Sequence, residues 1–229
     1  MEHTKKKIFK TADGSPTLYL PQFDEYYHSK HGALQEARHV YLEMGFNFWE
    51  MHNTNKNSCC VFELGFGTGL NAFLTARAAE QKQRKIRYTT IDAFPLSASE
   101  IKALDYASFL AAKEGQLYQD LHALAWEKKA FLSDFFSLEK IKVKLENFIL
   151  HHQIDLIYYD AFGARTQPEM WEDDCFPPLV NSLNPGGVLV TYSAKGSVQR
   201  ALKTLGLEVE LVTGPPGKRE MIRAFKPHL

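Results

Sequence analysis

Cys59-Cys60-Val61-Phe62-Glu63-Leu64-Gly65-Phe66-Gly67-Thr68-Gly69-Leu70-Asn71 is the stretch on which the reading of this chain turns. The apolar run from Cys59 to Leu64 has the composition of a buried strand, and Leu70, Phe73, Leu74 and Ala78 recur at the spacing of one helix face. Three glycines in alternation separate them, so strand, tight loop and helix are expected in that order. Glycines in such a loop let a ligand come close to the backbone. The rival reading is a tight turn that holds nothing.

Working outward, short apolar runs alternate with amphipathic stretches. Strands are expected at Ile86 to Ile91, Phe135 to Ile141, Ile154 to Tyr159 and Val188 to Tyr192, the last launched by the turn Asn184-Pro185-Gly186-Gly187. Helices are expected over Ser97 to Ala112 and Ser197 to Leu205, while Gly115 to Asp134 carries no decisive pattern. Repeated βα units of this kind build a mainly parallel sheet. Two further strands, Leu207 to Val212 and Glu220 to Phe225, are separated only by Thr213 to Arg219. A parallel crossover needs about a dozen residues, so these two are expected to form an antiparallel hairpin. An α/β Rossmann-like sheet ending in such a hairpin is the arrangement of a class I S-adenosylmethionine-dependent methyltransferase. Residues 59–229 are assigned to it, and residues 1–58, rich in Tyr, His, Glu and Asp, to an N-terminal sub-region that covers the substrate side.

Composition narrows the partners less than the fold. The chain has 229 residues with 45% hydrophobic content, enough for one globular core, which excludes disordered and fibrous classes. Lys+Arg and Asp+Glu are 27 each, so contact with nucleic acid must rest on a local basic patch. Cys59 and Cys60 are adjacent and Cys175 is distant, neither a disulfide framework nor a metal-ligand spacing, and a reducing cytoplasm is the expected location. His151 and His152 have no carboxylate at ligand spacing and are read as surface residues, so no metal is expected. No run approaches the roughly 18 uninterrupted apolar residues of a membrane span.

The chemistry-bearing candidates lie at strand ends. Asp92 follows the second strand, where a carboxylate can accept from both hydroxyls of a ribose; a helix N-cap is its rival role. A dinucleotide fingerprint wants G-x-G-x-x-G for a pyrophosphate, whereas Gly65, Gly67 and Gly69 give G-x-G-x-G, which suits S-adenosylmethionine, a cofactor without phosphate. Asp160 ends the fourth strand directly after Leu156-Ile157-Tyr158-Tyr159 and needs a partner there, either structural or a nucleophile to be methylated. Phe162 offers a π face for a sulfonium or a base, or a core ring.

These motifs, taken together, resemble the MnmC methyltransferase family. The resemblance is carried by Asp24-Glu25-Tyr26-Tyr27-His28-Ser29, Gly32, Glu36-Ala37-Arg38 and Glu63 to Asn71, then by Phe94-Pro95-Leu96, Asp160-Ala161-Phe162 and Pro168-Glu169-Met170-Trp171, and finally by Tyr192 to Gly196 and Gly217 to Met221. It implies methyl transfer from S-adenosylmethionine to the amine of 5-aminomethyl(-2-thio)uridine at the tRNA wobble position, giving 5-methylaminomethyl(-2-thio)uridine. In bifunctional members a flavin-dependent domain generates that amine; this chain ends at Leu229 without one, so the resemblance is to the stand-alone form, with a separate enzyme supplying the amine.

On this reading Asp160 and Phe162 serve catalysis, Asp160 as an orienting acceptor with the proton lost to solvent. Glu63, Gly65, Gly67, Thr68, Gly69, Asn71 and Asp92 serve the cofactor, with Tyr27, Glu36 and Arg38 capping its methionine end. Lys195, Lys218 and Arg219, near the carboxyl edge of the sheet, are the candidates for RNA phosphate; their rival role is a solvated face. The adenine-reading acid after the third strand is missing in the preferred register, which puts Lys144 there, with Asp134 and Glu146 as alternatives. The competing functions are a small-amine methyl- or aminopropyl-transferase and a non-catalytic S-adenosylmethionine-binding module.

Overall fold

The computed structural model describes residues 5–228. β1 (Lys7–Lys10), β2 (Pro16–Leu20) and β3 (Glu25–Tyr26) form a small antiparallel sheet. The large sheet contains β4 (Ser58–Leu64), β5 (Lys85–Ile91), β6 (Lys129–Phe131), β7 (Phe136–Ile141), β8 (Ile154–Tyr159), β9 (Leu183–Thr191), β10 (Glu208–Thr213) and β11 (Glu220–Phe225). Its spatial order is β10-β11-β9-β8-β4-β5-β7-β6. β7, β5, β4, β8 and β9 run parallel, and β11 is inserted antiparallel between β9 and β10, the hairpin expected from the short connection. This is the class I Rossmann-like arrangement. The chain leaves β4 toward β5 and β7 on one side, and returns through β8 to β9 on the other. Such a reversal leaves a crevice at the carboxyl ends of the strands.

Three local expectations change. The helix expected over Ser97 to Ala112 is broken into Ala98–Leu104 and Tyr106–Phe109, followed by a new helix at Ala112–Ala123. Its start is as legible as any, since Ser97 and Glu100 form a reciprocal capping box. Asp105 then adopts a left-handed conformation (φ 51°) that ends the helix, and buried Tyr106 donates to the Pro16 carbonyl (2.5 Å). Gly115 lets the next helix pack tightly there, because a Cβ would lie 2.6 Å from the Ala107 carbonyl oxygen. The undecided segment also supplies β6, an antiparallel edge strand on β7. Finally, Asn184 to Gly187 does not precede β9 but bulges within it: Ile154 pairs with Leu183 and Leu156 with Val188.

The N-terminal segment contributes a helix spanning residues 33–52, α-helical at Ala33–Ala37 and Phe48–His52 and π-wound over Arg38–Asn47. Its first turn is capped from the small sheet, not locally. Ser15 Oγ accepts from the Ala33 and Leu34 amides (3.0 and 3.1 Å), and Asp13 Oδ2 from the Gln35 amide (3.0 Å). Val40, Tyr41, Phe46 and Trp49 from this helix are buried with Leu156, Tyr158 and Val190 on one face of the large sheet. The other face is closed by Trp171, Phe176, Leu179, Val198 and Leu202. Among the described residues no helix is long and apolar enough to cross a membrane.

Candidate active site

The crevice holds a cavity of about 380 Å³ at the ends of β4, β5, β7 and β8. Its floor is the glycine loop. The Gly65 amide donates to the Ile91 carbonyl (2.9 Å) and the Asp160 amide to the Leu64 carbonyl (3.0 Å), so this loop ties three strand ends together. Gly65 has φ +91°, and a Cβ there would lie 2.5 Å from the Asp160 carbonyl oxygen. Next along the loop, Thr68 is gripped from three distant segments. Its hydroxyl meets His28 Nε2 (3.2 Å), and its carbonyl accepts from the Tyr118 hydroxyl (2.6 Å) and His122 Nε2 (3.0 Å). Burial pushes both histidines down to about 4, helped at His122 by nearby Lys140, so both are neutral at pH 7. Lys140 itself donates to the Leu121 and His122 carbonyls beneath the Phe66 and Trp126 rings, and burial lowers it to about 8.

Asp92 stands at the end of β5 with one oxygen accepting from the Gly67 amide (2.9 Å) and the other from the Phe94 amide (2.8 Å). Each oxygen keeps a lone pair for a ribose hydroxyl. Asp92→Asn puts an amide donor where an acceptor is required. The loss of one charge-assisted bond, about 2 kcal/mol, should weaken S-adenosylhomocysteine about thirtyfold in calorimetric titration. Unchanged affinity would remove Asp92 from the site.

Asp160 ends β8 in the middle of the cavity wall. Asn71 Nδ2 donates to it (2.8 Å). The buried Tyr41 hydroxyl lies close enough to ease its ionisation but forms no hydrogen bond of proper geometry. Burial dominates and, with the Glu36 charge, pushes Asp160 up to about 7 despite the opposing effects of Tyr41, Asn71 and Lys218. Phe162 lies two residues on, its ring edge-to-face with Tyr27 at 4.9 Å. Its backbone is fixed by Gln167 and by the Trp171 indole, which donates to the Phe162 carbonyl (2.7 Å). Glu36 accepts from the Ser29 amide (2.6 Å) and pairs with Lys218 (3.0 Å).

The structure therefore gathers Tyr27, Glu36, Gly65, Gly67, Thr68, Asn71, Asp92, Asp160, Phe162 and Lys218 around one cavity. Gly69 lies just outside the lining, where its φ of 72° starts the helix Leu70–Lys82. Glu63 is wholly buried beneath the loop, and neither carboxylate oxygen has a hydrogen-bond partner among the described residues. Burial and the neighbouring Asp160 hold its carboxyl well above the usual range, against the smaller opposing effects of Thr90, Asn71 and Tyr88. Arg38, Lys195 and Arg219 are exposed and do not line the cavity. After β7 the chain supplies Val143, Lys144, Leu145 and Glu146 to the wall, whereas Asp134 precedes β7 at the opposite end. Sequence reasoning assigns no role to His28, Glu25 or Gln167, which also line the cavity; the run Asp24 to Ser29 is the available signal for the first two.

These residues fit S-adenosylmethionine. Asp92 is an acid held by two backbone amides with acceptor capacity to spare, and the glycine loop brings bare backbone to the cavity, with Gly67 at φ +50° beside the Tyr27 ring. Asn71 Oδ1 is buried and has no hydrogen-bond partner among the described residues.

Comparison with known proteins agrees. Residues 101–227 match the family model described as S-adenosyl-L-methionine-dependent methyltransferase. The tRNA 5-methylaminomethyl-2-thiouridine biosynthesis bifunctional protein MnmC of Cupriavidus metallidurans is 31% identical over 229 residues, covering 94% of this chain and 33% of that protein. The protein of the same name from Leptospira interrogans is 33% identical over 211 residues, covering 88% and 32%. The chain thus spans about a third of the length of the curated relatives it matches. The crystal structure of MNMC2 from Aquifex aeolicus shares the fold with a TM-score of 0.74 at 21% identity, covering 100% of this chain and 74% of that one. A family match over more than half of its length places this chain in the S-adenosyl-L-methionine-dependent methyltransferase family.

Proposed function

We propose that this methyltransferase acts on the primary amine of 5-aminomethyl(-2-thio)uridine at the tRNA wobble position, producing 5-methylaminomethyl(-2-thio)uridine. The observation that carries the reading is Asp160, an acid raised to about 7, beside the Phe162 and Tyr27 rings and across the glycine loop from Asp92. An amine acceptor needs both a group for its proton and a flat apolar surface for its base. The relatives named for tRNA 5-methylaminomethyl-2-thiouridine biosynthesis point to the same acceptor.

S-adenosylmethionine supplies an electrophilic methyl group on a sulfonium. The chain's own residues position and deprotonate the acceptor. Asp92 and the loop Gly65 to Gly69 hold the nucleoside half of the cofactor, and Asn71 fixes the Asp160 carboxyl. Phe162 supports the base. An alkylamine with a pKa near 10.4 gives its proton to an ordinary carboxylate about a millionfold uphill, but to Asp160 only about a thousandfold uphill. Asp160 is thereby promoted from an orienting acceptor to a serviceable base, with the proton passing on to solvent.

Residues 25–36 of the N-terminal sub-region 1–58 cap the cofactor's methionine end. Arg38, assigned from the sequence to the same cap, is exposed and off the cavity. Exposed Lys195 and Arg219 supply charge for the RNA backbone, with the protein working in the cytoplasm on an amine delivered by a separate enzyme. The test is methyl transfer from labelled cofactor to tRNA carrying 5-aminomethyluridine, with unmodified transcript and polyamines in parallel. Label recovered as 5-methylaminomethyluridine supports the proposal; label on polyamines alone replaces it with a small-amine transferase.

A further inference from the structure

Lys218 and Arg219 are adjacent in sequence yet do different things. The Arg219 side chain is 93% exposed, whereas Lys218 turns back into the cavity. The turn after β10 makes this possible: the Lys218 amide donates to the Pro215 carbonyl (2.9 Å) and the Gly214 amide to the Arg219 carbonyl (3.1 Å). Gly217 has φ +87°, a conformation that favours glycine, and a Cβ there would meet the His31 ring unless that ring moved aside. The Lys218 ammonium ends 3.7 Å from the centroid of the Tyr192 ring and 3.0 Å from Glu36 Oε1. Both partners are built in. The Glu36 side chain is 8% exposed with its second oxygen on the Ser29 amide, and the Tyr192 hydroxyl donates to the Ala161 carbonyl (2.8 Å).

A fixed, nearly buried carboxylate beside the face of a tyrosine is the chemistry that selects an ammonium. We propose that Glu36 and the Tyr192 ring form a subsite for a ligand's primary ammonium group, and that the Lys218 ammonium holds this subsite until the ligand displaces it. The proposal rests on the substrate reading above for one of two sources of that group. One is the methionine ammonium of the cofactor; the other is the aminomethyl group of the modified uridine, which would dock here before losing its proton at Asp160. In either case Lys218 is a competitor inside the chain and not a phosphate contact. Removing it leaves the Glu36 charge uncompensated and increases the gain from an incoming cation.

The experiment is calorimetric titration of the full chain, wild type against Lys218→Ala and Glu36→Gln, with four probes. S-adenosylhomocysteine and its deaminated analogue form one pair; 5-aminomethyluridine and 5-hydroxymethyluridine form the other. Lys218→Ala should tighten the ammonium-bearing member of one pair about fivefold, and Glu36→Gln should weaken the same probe about tenfold. The uncharged partner should respond to neither, and the responding pair identifies the source. Lys218→Gln, which keeps the chain length, serves if the alanine variant has a lowered thermal midpoint. Equal effects on charged and uncharged probes, no effect at all, or weaker binding on loss of Lys218 would each overturn the proposal. Methyl transfer by the wild-type chain to aminomethylated tRNA is measured alongside. Its absence would fail the substrate reading, while a response in the S-adenosylhomocysteine pair would leave the ammonium subsite standing.

Discussion

Replacing Asp160 by Asn should lower kcat for methyl transfer about a thousandfold while leaving cofactor affinity within a few-fold. The amide keeps the size of the side chain and an oxygen for Asn71 Nδ2, so the cavity wall is preserved. What disappears is the charge and the basicity, and a positioned base is worth about two to four orders of magnitude. The pH profile carries the sharper signature. With Asp160 at about 7, kcat/KM of the wild-type chain should fall as pH drops below 7, because the acid then holds its own proton. That inflection should be absent in the variant. The charged and titratable groups around Asp160 are Glu36 and Lys218, whose charges act on it in opposite directions, the Tyr41 and Tyr192 hydroxyls, and Glu63.

Stability should move the other way. A carboxyl raised from 3.8 to about 7 in the folded chain binds its proton more tightly there than in the unfolded one, so folding stability falls as pH rises across that window. Asn removes this cost, and the thermal midpoint of the variant should exceed that of the wild type at pH 8 but match it near pH 4. An acid placed for stability would show the reverse. Near-normal turnover with an unchanged pH profile would end the catalytic role of Asp160.

Gly65→Ala is expected to abolish measurable cofactor binding and to destabilise the fold by about 3 kcal/mol or more. Two costs combine: a left-handed backbone at φ +91°, and a Cβ placed 2.5 Å from the Asp160 carbonyl oxygen. Backbone cannot rotate away as a side chain can, so the ends of β4 and β8 must separate. Gly206 provides the control. Its φ is +84°, but nothing lies within 4 Å of the point where a methyl group would stand, so Gly206→Ala should cost only the strain, about 1 kcal/mol, with cofactor binding intact. Thermal unfolding and titration with S-adenosylhomocysteine separate the two. Equal behaviour of the two variants would mean that the contact between Gly65 and Asp160 does not shape the site.

The contrast between these positions also explains what the sequence could reveal. β4, β5, β8 and the final hairpin are legible because each is a short apolar run closed by Gly, Asp or a turn, and Asp92 and Asp160 can be placed because they end such runs. Helix 33–52 is not, since its cap comes from Asp13 and Ser15 across a chain reversal, and its π-wound stretch departs from the 3.6-residue period. The break at Asp105 is accompanied by Gly115 packing on Ala107, a contact between separate segments that no local pattern announces.

The site shows the same limit. Glycines and strand-end acids announce themselves locally, whereas the grip of His28, Tyr118 and His122 on Thr68 joins residues 40 to 54 positions apart. Glu36 and Lys218 are 182 positions apart, and no spacing rule pairs them. Glu63 illustrates a different failure. Its place in the glycine motif suggests a cofactor contact, but strand alternation points it into the core, where it meets Tyr88, Thr90 and Asn71 without reaching the cavity.

The most direct test of the account is a crystal structure of the chain with S-adenosylhomocysteine and 5-aminomethyluridine bound together. The account predicts the cofactor's ribose hydroxyls on Asp92, the pyrimidine ring against Phe162, and the amine nitrogen between the cofactor's sulfur and Asp160. A complex in which the amine lies away from Asp160, or the ribose away from Asp92, would contradict it.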